Sequence, residues 1–423
     1  MDKFIVHGGA RLNGNIRVSG SKNSSLPILA AALLTDEKTV IRRVPDVSDT
    51  NYMLAILRSL GADVERASGT VTIEPKGIKP EAPYELVRKM RASICVMGPL
   101  LARLNEARVS LPGGCVIGDR PVDLHLKGLE ALGAKVEVSG GNMEIIAKDG
   151  LKGTEINLRG THGPTVLGTD NVMMAAVLAE GTTIIEGAAA EPEVVDLANF
   201  LNAMGAKIEG AGTRRITIEG VEKLGGVDYT VIPDRIEGGT FLVAGAIAAD
   251  DLTLRNAGPQ YMGALIDTLR GSGFKIDVDA EADTVRIRPG ERSPLANEIT
   301  TDPFPGFPTD MQAQMGALFC TTPGISVVTE KVFPQRFMHV AELTRMGADI
   351  RMEGPTAIIR GVEQLSAAPV MASDLRASAA LVLAGLTAKG STEITRVYHI
   401  DRGYEHIDDK LAQIGANIER VRE

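Results

Sequence analysis

LRSLGADVE, residues 57–65, decides how this chain is read. A helix runs up to Leu60, a glycine ends it, and Ala-x-Val starts a strand. The phrase returns as LEALGAKVE (129–137), LNAMGAKIE (201–209), LRGSGFKID (269–277), LTRMGADIR (343–351) and LAQIGANIE (411–419). Its glycines, Gly61, Gly133, Gly205, Gly273, Gly347 and Gly415, are 72, 72, 68, 74 and 68 residues apart. A glycine just past a helix C-terminus takes positive φ without the steric cost of a side chain. Six copies at a near-constant interval mean one supersecondary unit repeated six times.

A second phrase runs in step. An Ala/Leu-rich helix passes through a polar turn into a β-branched strand, as in AALLTDEKTVIRRV (31–44) and AAVLAEGTTIIEG (175–187). Each unit therefore reads strand, helix, strand, helix, strand, strand, and the first begins near Ile16. The sixth lacks its last strand, and FIVHG (4–8) is the spare strand that completes it. The fold class expected is α/β, with three units in each of two globules. One globule takes residues 21–230 (repeats 1–3) and the other residues 1–20 plus 231–423 (repeats 4–6).

Composition agrees. A chain of 423 residues has room for two domains. With 44% hydrophobic residues, 4% aromatic and no Trp, the cores must be aliphatic. No apolar run reaches the length of a membrane span, and MDKFIVHGGARL lacks a signal-peptide core. Three cysteines, an odd and sparse set, point to reduced thiols and a cytoplasmic protein. A net charge of −9 argues against a nucleic-acid partner.

Charge falls at repeated places. The first helix of five units begins with SGSKNSS, KMRAS, PDRIEGG, FPTDMQ or SDLRAS, which put Lys22, Arg91, Arg235, Asp310 and Arg376 at equivalent points. A cation disfavours a helix N-terminus, whereas an anionic ligand favours it. Any one of the four cations is equally well explained by an acidic neighbour such as Asp234 or Asp374. Four at one place in a repeat point to an anion. Arg120, Arg336 and Arg402 recur before the second helix of three units. With the units packed round a pseudo-threefold axis, the cations are expected to pool in a cleft between the globules. Asp310, in the Pro-rich helix entry FPGFPTDMQ, reads from its position as a helix cap.

LPGGCVIGDRPVDLH (111–125) is a Gly/Pro loop carrying Cys115 away from any apolar face. Cys95 and Cys320 lie in apolar helical text and read as core. A thiol five residues from Arg120 is set up for reactivity. The chain has no GxxxxGK[ST] phosphate loop and no HExxH or CxxC metal pattern, so neither metal nor cofactor is expected. His125 and His339 read as ordinary residues.

GSKNSSLPILAALL, KMRAS, LPGGCVIGDRPVDLH, FPTDMQAQ, FPQRFMHVAEL, SDLRASAALVLAG and YHIDRGYEHIDDKL resemble the UDP-N-acetylglucosamine enolpyruvyl transferases of the EPSP synthase-like superfamily, and the likeness spans the chain. It implies the two-globule inside-out α/β prism, with an active site in the cleft. It implies transfer of the enolpyruvyl group of phosphoenolpyruvate to the 3′-hydroxyl of UDP-N-acetylglucosamine, with release of phosphate, at the start of peptidoglycan precursor synthesis. The alternative is the sister reaction on shikimate 3-phosphate, whose enzymes lack the PGGC cysteine. By the resemblance, Lys22, Asn23, Arg120 and Arg402 bind phosphoenolpyruvate, Lys22, Arg120 and Arg402 through its phosphate. Arg336 and Arg376 hold its carboxylate, Asp310 takes the hydroxyl proton, and Cys115 donates a proton. Asn23, Arg91, Arg120, Pro121, Val122, Asp123, Leu124, Asp310 and Val332 contact the sugar nucleotide. Gly163, Thr165 and Gly168 mark a diphosphate loop, although RGTHGPTVLGTDN (159–171) departs from the family's usual pattern there.

The Cys115 assignment has a direct check. The resemblance implies that fosfomycin, an epoxide mimic of phosphoenolpyruvate, alkylates this thiol. With UDP-N-acetylglucosamine present, peptide mapping is expected to find one label, on Cys115, and turnover to stop. Cys115→Asp is expected to stay active and unlabelled. Label on Cys95 or Cys320, or inhibition of the Asp variant, contradicts the assignment.

Overall fold

The computed structural model describes residues 2–111, 122–161, 163–291 and 293–422. Packing divides them into two units. One contains residues 20–111 and 122–232, the other residues 2–19 and 233–422.

Among its described residues, the unit of residues 20–232 holds three sheets of three or four strands and a two-stranded one, Arg159–Gly160 with Gly163–Pro164. In the first, Asp228–Thr230, Thr39–Arg42, Thr70–Pro75 and Ala62–Ala67 lie side by side in that order. In the second, Glu106–Ser110, Asn142–Ile146 and Lys135–Ser139 do so, and a parallel bridge from Glu81 to Arg108 stands where a fourth strand would be. In the third, the order is Glu155–Asn157, Thr182–Glu186, Arg215–Glu219, Lys207–Glu209. Each sheet alternates buried and exposed positions along its strands, so only one face meets the core.

The other unit repeats the plan. Its sheets are Leu12–Arg17 with Ala249–Arg255, Thr284–Arg288 and Lys275–Asp279; Glu298–Thr300 with Ile325–Thr329, Thr356–Arg360 and Asp349–Glu353; and Val370–Met371 with Ser391–Thr395, Lys3–His7 and Asn417–Val421. The N-terminal strand Lys3–His7 lies between the last two strands of the chain and pairs antiparallel with both, completing the sixth repeat.

The six repeated glycines all adopt positive φ, from 92° to 105°. In five copies the N–H after the glycine returns to the phrase's leucine carbonyl at 3.0–3.2 Å, from Ala134, Ala206, Phe274, Ala348 and Ala416. These are the closing bonds of Schellman caps, and they set the direction of the strand that follows.

The two helices of each repeat differ. The second is amphipathic, as in Ser48–Ser59, Gly263–Gly271 and Met338–Arg345. The first is buried almost all round, as in Lys22–Ala31, Val166–Ala176, Gln312–Phe319 and Leu375–Gly385. A helix without a polar face belongs inside. In the unit of residues 233–422, Arg235–Ala248, Gln312–Phe319 and Leu375–Gly385 pack on one another, with the sheets outside them. This is the inside-out arrangement of an α/β barrel.

The expectation that a first repeat begins with its own strand near Ile16 needs correction. Leu12–Arg17 pairs in parallel with Ala249–Arg255, in the fourth repeat's sheet. Asp228–Thr230, which precedes the fourth repeat's first helix, pairs with Thr39–Arg42 in the first repeat's sheet. The repeats exchange leading strands because the chain passes from one unit to the other after each strand and before the helix that follows it, at residues 19–20 and 232–233.

Phe4 carries the sixth sheet's dependence on the N-terminus. It is fully buried, and the Arg420 guanidinium lies 4.8 Å above its ring. Phe4→Ala is expected to destabilise its unit by about 3–5 kcal/mol, read as an earlier denaturant transition. A change below about 1 kcal/mol would show that the strand is dispensable.

Candidate functional site

In the unit of residues 233–422, three of the residues singled out in the sequence come together. Asp310 sits in a 3₁₀ turn, Thr309–Met311, that leads into the helix Gln312–Phe319. Its Oδ1 accepts from Arg336 Nη1 at 2.7 Å and its Oδ2 from Arg376 Nη2 at 3.0 Å. The residues at the starts of this turn and helix, Pro308 and Met311, make no side-chain cap, and each Asp310 oxygen accepts from a guanidinium, as a counter-ion's does. Asp374 and Asp234 are the true caps. Asp374 Oδ1 accepts from the Arg376 and Ala377 amides, and Asp234 Oδ1 from those of Ile236 and Glu237. The ion-pair alternative for Arg376 thus resolves toward Asp310.

Arg376 is 2% exposed. Burial works against its charge, but Asp310, with smaller help from Tyr404 and Asp234, raises its pKa beyond the usual arginine value. Its guanidinium lies 5.3 Å from the centroid of the Tyr404 ring. Its Nη1 is buried with no hydrogen-bond partner among the described residues. A buried guanidinium with one arm on a carboxylate and the other unsatisfied has donor capacity left for a second acceptor.

Tyr404 and Gln314 support this arrangement. The Tyr404 hydroxyl is 2.9 Å from Thr240 Oγ1, and Gln314 Nε2 reaches the hydroxyl at 3.3 Å, Thr240 Oγ1 at 3.2 Å and the Asp310 carbonyl at 2.8 Å. Thr240, Gln314 and Arg376 come from the first helices of three successive repeats. On the other side of Asp310, the buried carboxylate of Glu330 accepts from Thr301 Oγ1, Thr309 Oγ1 and the amides of Val332 and Phe333. Arg402 lies in a loop braced at Asp401, which takes two bonds from Arg420 at 3.1 and 2.5 Å.

In the unit of residues 20–232, Lys22 is the first residue of its helix and Ser21 the cap, its side chain accepting from the Ser24 amide. Lys22 Nζ is 3.5 Å from Asp49 Oδ2, and both side chains are buried. Asn23 follows, partly exposed. Arg91 begins the 3₁₀ helix Arg91–Val96. Val122 precedes the helix Asp123–Ala131, which carries Asp123 and Leu124. Behind them, buried His125 Nδ1 lies 3.1 Å from Asn171 Nδ2, and Asn171 Oδ1 accepts from the Gly98 amide at 2.9 Å. Gly163 has φ 103° and pairs with Gly160. Thr165 caps the helix Val166–Ala176 through the Gly168 amide at 3.2 Å. A side chain at 168 would meet Thr165 Cγ2 at 2.4 Å, so only glycine fits beneath that cap. Cys115, Arg120 and Pro121 lie outside the described residues.

The ordinary readings elsewhere agree with the structure. Cys95 and Cys320 are free and fully buried; burial pushes both thiols up, that of Cys320 to about 12. His339 is buried, with its pKa lowered to about 4 chiefly by desolvation, so it stays neutral at neutral pH. Among the described residues no His, Cys, Asp and Glu cluster could hold a metal ion, and no helix is long and apolar enough to cross a membrane. Sequence reasoning missed Tyr404, Gln314 and Glu330. Glu330 alone left a signal, a carboxylate ending the β-branched strand text of ISVVTE (325–330).

Known proteins share this architecture. The family described as EPSP synthase (3-phosphoshikimate 1-carboxyvinyltransferase) matches residues 6–411. A UDP-N-acetylglucosamine 1-carboxyvinyltransferase of Akkermansia muciniphila is 64% identical over 421 residues, covering 100% of this chain and 99% of its own. One of Methylacidiphilum infernorum is 59% identical with the same coverage. Among solved structures, the enolpyruvyl transferase NikO from Streptomyces tendae superposes with a TM-score of 0.90 at 27% identity, covering 99% of each chain. An EPSP synthase from Acinetobacter baumannii, at 21% identity and a TM-score of 0.76 over the full length of both chains, shares the fold.

Proposed function

The chain belongs to the EPSP synthase family, and from that premise we propose how its residues divide the work of enolpyruvyl transfer. The acceptor is UDP-N-acetylglucosamine, and the reaction opens peptidoglycan precursor synthesis. Whole-length identities of 52–64% with transferases named for that acceptor favour it over shikimate 3-phosphate. The donor is phosphoenolpyruvate. The sugar 3′-hydroxyl adds to C-2 of the donor while C-3 takes a proton, and the tetrahedral adduct then loses phosphate together with a proton from C-3 to leave an enol ether.

The observation that carries the site assignment is the Asp310 carboxylate between Arg336 and buried Arg376, with Arg376 Nη1 unsatisfied. The donor's carboxylate takes Nη1 and shares the two guanidiniums. Planar forks suit a carboxylate, and the charge buried at Arg376 makes an anion there favourable. As the substrate becomes counter-ion to the two arginines, Asp310 is released from them to accept the proton of the 3′-hydroxyl. Lys22, Asn23, Arg120 and Arg402 take the donor, the cations by its phosphate. Arg91, residues 120–124 and Val332 take the nucleotide with Asn23 and Asp310, and Gly163, Thr165 and Gly168 its diphosphate. Cys115 supplies the proton to C-3. The free thiols of Cys95 and Cys320 suit a cytoplasmic setting.

Phosphate release tests the assignment. Turnover is expected with UDP-N-acetylglucosamine and not with shikimate 3-phosphate. Arg376→Lys is expected to lose at least about 100-fold in kcat/KM for phosphoenolpyruvate, because a point charge cannot serve both Asp310 and the substrate. Asp310→Asn is expected to bind UDP-N-acetylglucosamine and turn over at least about 100-fold more slowly. Near-normal kinetics in either variant would remove that residue from its role.

A further inference from the structure

Glu330 is a carboxylate with no solvent exposure, held by two hydroxyls and two backbone amides. Such a group persists only if its oxygens are satisfied by donors. The two oxygens face different ways. Oε2 takes the Thr309 hydroxyl at 2.8 Å, and the same hydroxyl accepts from Arg336 Nη1 at 3.1 Å. Arg336 Nη1 is also the atom that reaches Asp310 at 2.7 Å. Because Thr309 gives its proton to Glu330, its oxygen must present a lone pair to Arg336, which fixes the direction of that guanidinium. Oε1 takes the Val332 and Phe333 amides at 2.8 and 2.9 Å and the Thr301 hydroxyl at 2.7 Å. Thr301 Oγ1 in turn accepts from the Lys331 amide at 2.9 Å. This oxygen therefore shapes the turn of residues 331–333.

We infer that Glu330 is a positioning residue for both substrates, one through each oxygen. The Oε2 arm, through Thr309, aims Arg336 at the carboxylate of phosphoenolpyruvate. The Oε1 arm, with Thr301, holds Val332 against the sugar nucleotide. The inference rests on the proposed roles of Arg336 and Val332 and adds three residues that touch neither substrate. A packing anchor alone would lower stability without separating the two substrates. Two positioning arms give crossed effects.

The experiment is steady-state kinetics on the full chain, with thermal melting of every variant. Thr309→Val keeps the side-chain shape and removes the hydroxyl. It is expected to raise the KM for phosphoenolpyruvate about tenfold, the scale of one hydrogen bond to a charged group, and to leave that for UDP-N-acetylglucosamine within about twofold. Thr309→Ser, which restores the hydroxyl, is expected to return to near wild-type values. Thr301→Val is expected to do the reverse, raising the nucleotide KM and sparing that for phosphoenolpyruvate. Equal changes in both constants, unchanged constants with a lower melting temperature, or failure of Thr309→Ser to recover would overturn the inference. Arg336→Ala run alongside separates the two levels. If it leaves the KM for phosphoenolpyruvate unchanged, the role of Arg336 itself fails and the Oε2 arm with it. If it raises that KM and Thr309→Val does not, only the positioning inference fails.

Discussion

A guanidinium that is 2% exposed must have a counter-ion, and Asp310 supplies it to Arg376. Removing a charge from water costs several kcal/mol (~) before its partners compensate. The surrounding features follow from that need. Asp374 caps the helix bearing Arg376, Tyr404 lies under the guanidinium, and Arg336 takes the other oxygen of Asp310. The carboxylate ends up shared by two cations, one of which has a buried N–H still to place. That imbalance favours an incoming anion, and in the proposed mechanism the anion takes the arginines from Asp310 and leaves it to act as the base.

The repeat makes the site possible. Because the first helix of each repeat is buried, residues near its N-terminus in neighbouring repeats converge on one another. Thr240, Gln314 and Arg376 belong to three such helices, and the Tyr404 hydroxyl meets the first two. The fourth repeat's first helix also packs closely on its surroundings: a Cβ at Gly239 would lie 2.8 Å from Leu265 Cδ2, in that repeat's second helix, and 3.0 Å from Met311 Sδ, in the turn before the fifth repeat's first helix. The repeat thus supplies a common frame, and equivalent positions diverge within it: a lysine at one helix start, an aspartate at another, an arginine at a third, the residues to which the proposed function assigns the chemistry.

Much of this was legible in the sequence because it rests on local rules. The six glycines announce their φ, and the FIVHG strand was needed to complete a count. Asp310, Arg336 and Arg376 stood at repeated positions, and the structure joins them. What was not legible depends on long-range pairing. Nothing local to Leu12–Arg17 says that it hydrogen-bonds a strand more than 230 residues away, so the exchange of leading strands was missed. Glu330, Gln314 and Tyr404 owe their importance to partners from other repeats, and read singly they are ordinary strand-end, helix and loop residues. In the sequence Asp310 is as good a cap as a base, because a carboxylate beside a helix start can be either; what was not legible is that its oxygens accept from Arg336 and Arg376.

The account turns on which part of phosphoenolpyruvate meets Arg376. A crystal structure of the Asp310→Asn variant with phosphoenolpyruvate and UDP-N-acetylglucosamine bound measures this directly. The expected result is the donor's carboxylate within hydrogen-bond distance of Arg376 Nη1 and Arg336, with its phosphate elsewhere. A phosphate on Arg376, or a carboxylate that touches neither arginine, would contradict the account.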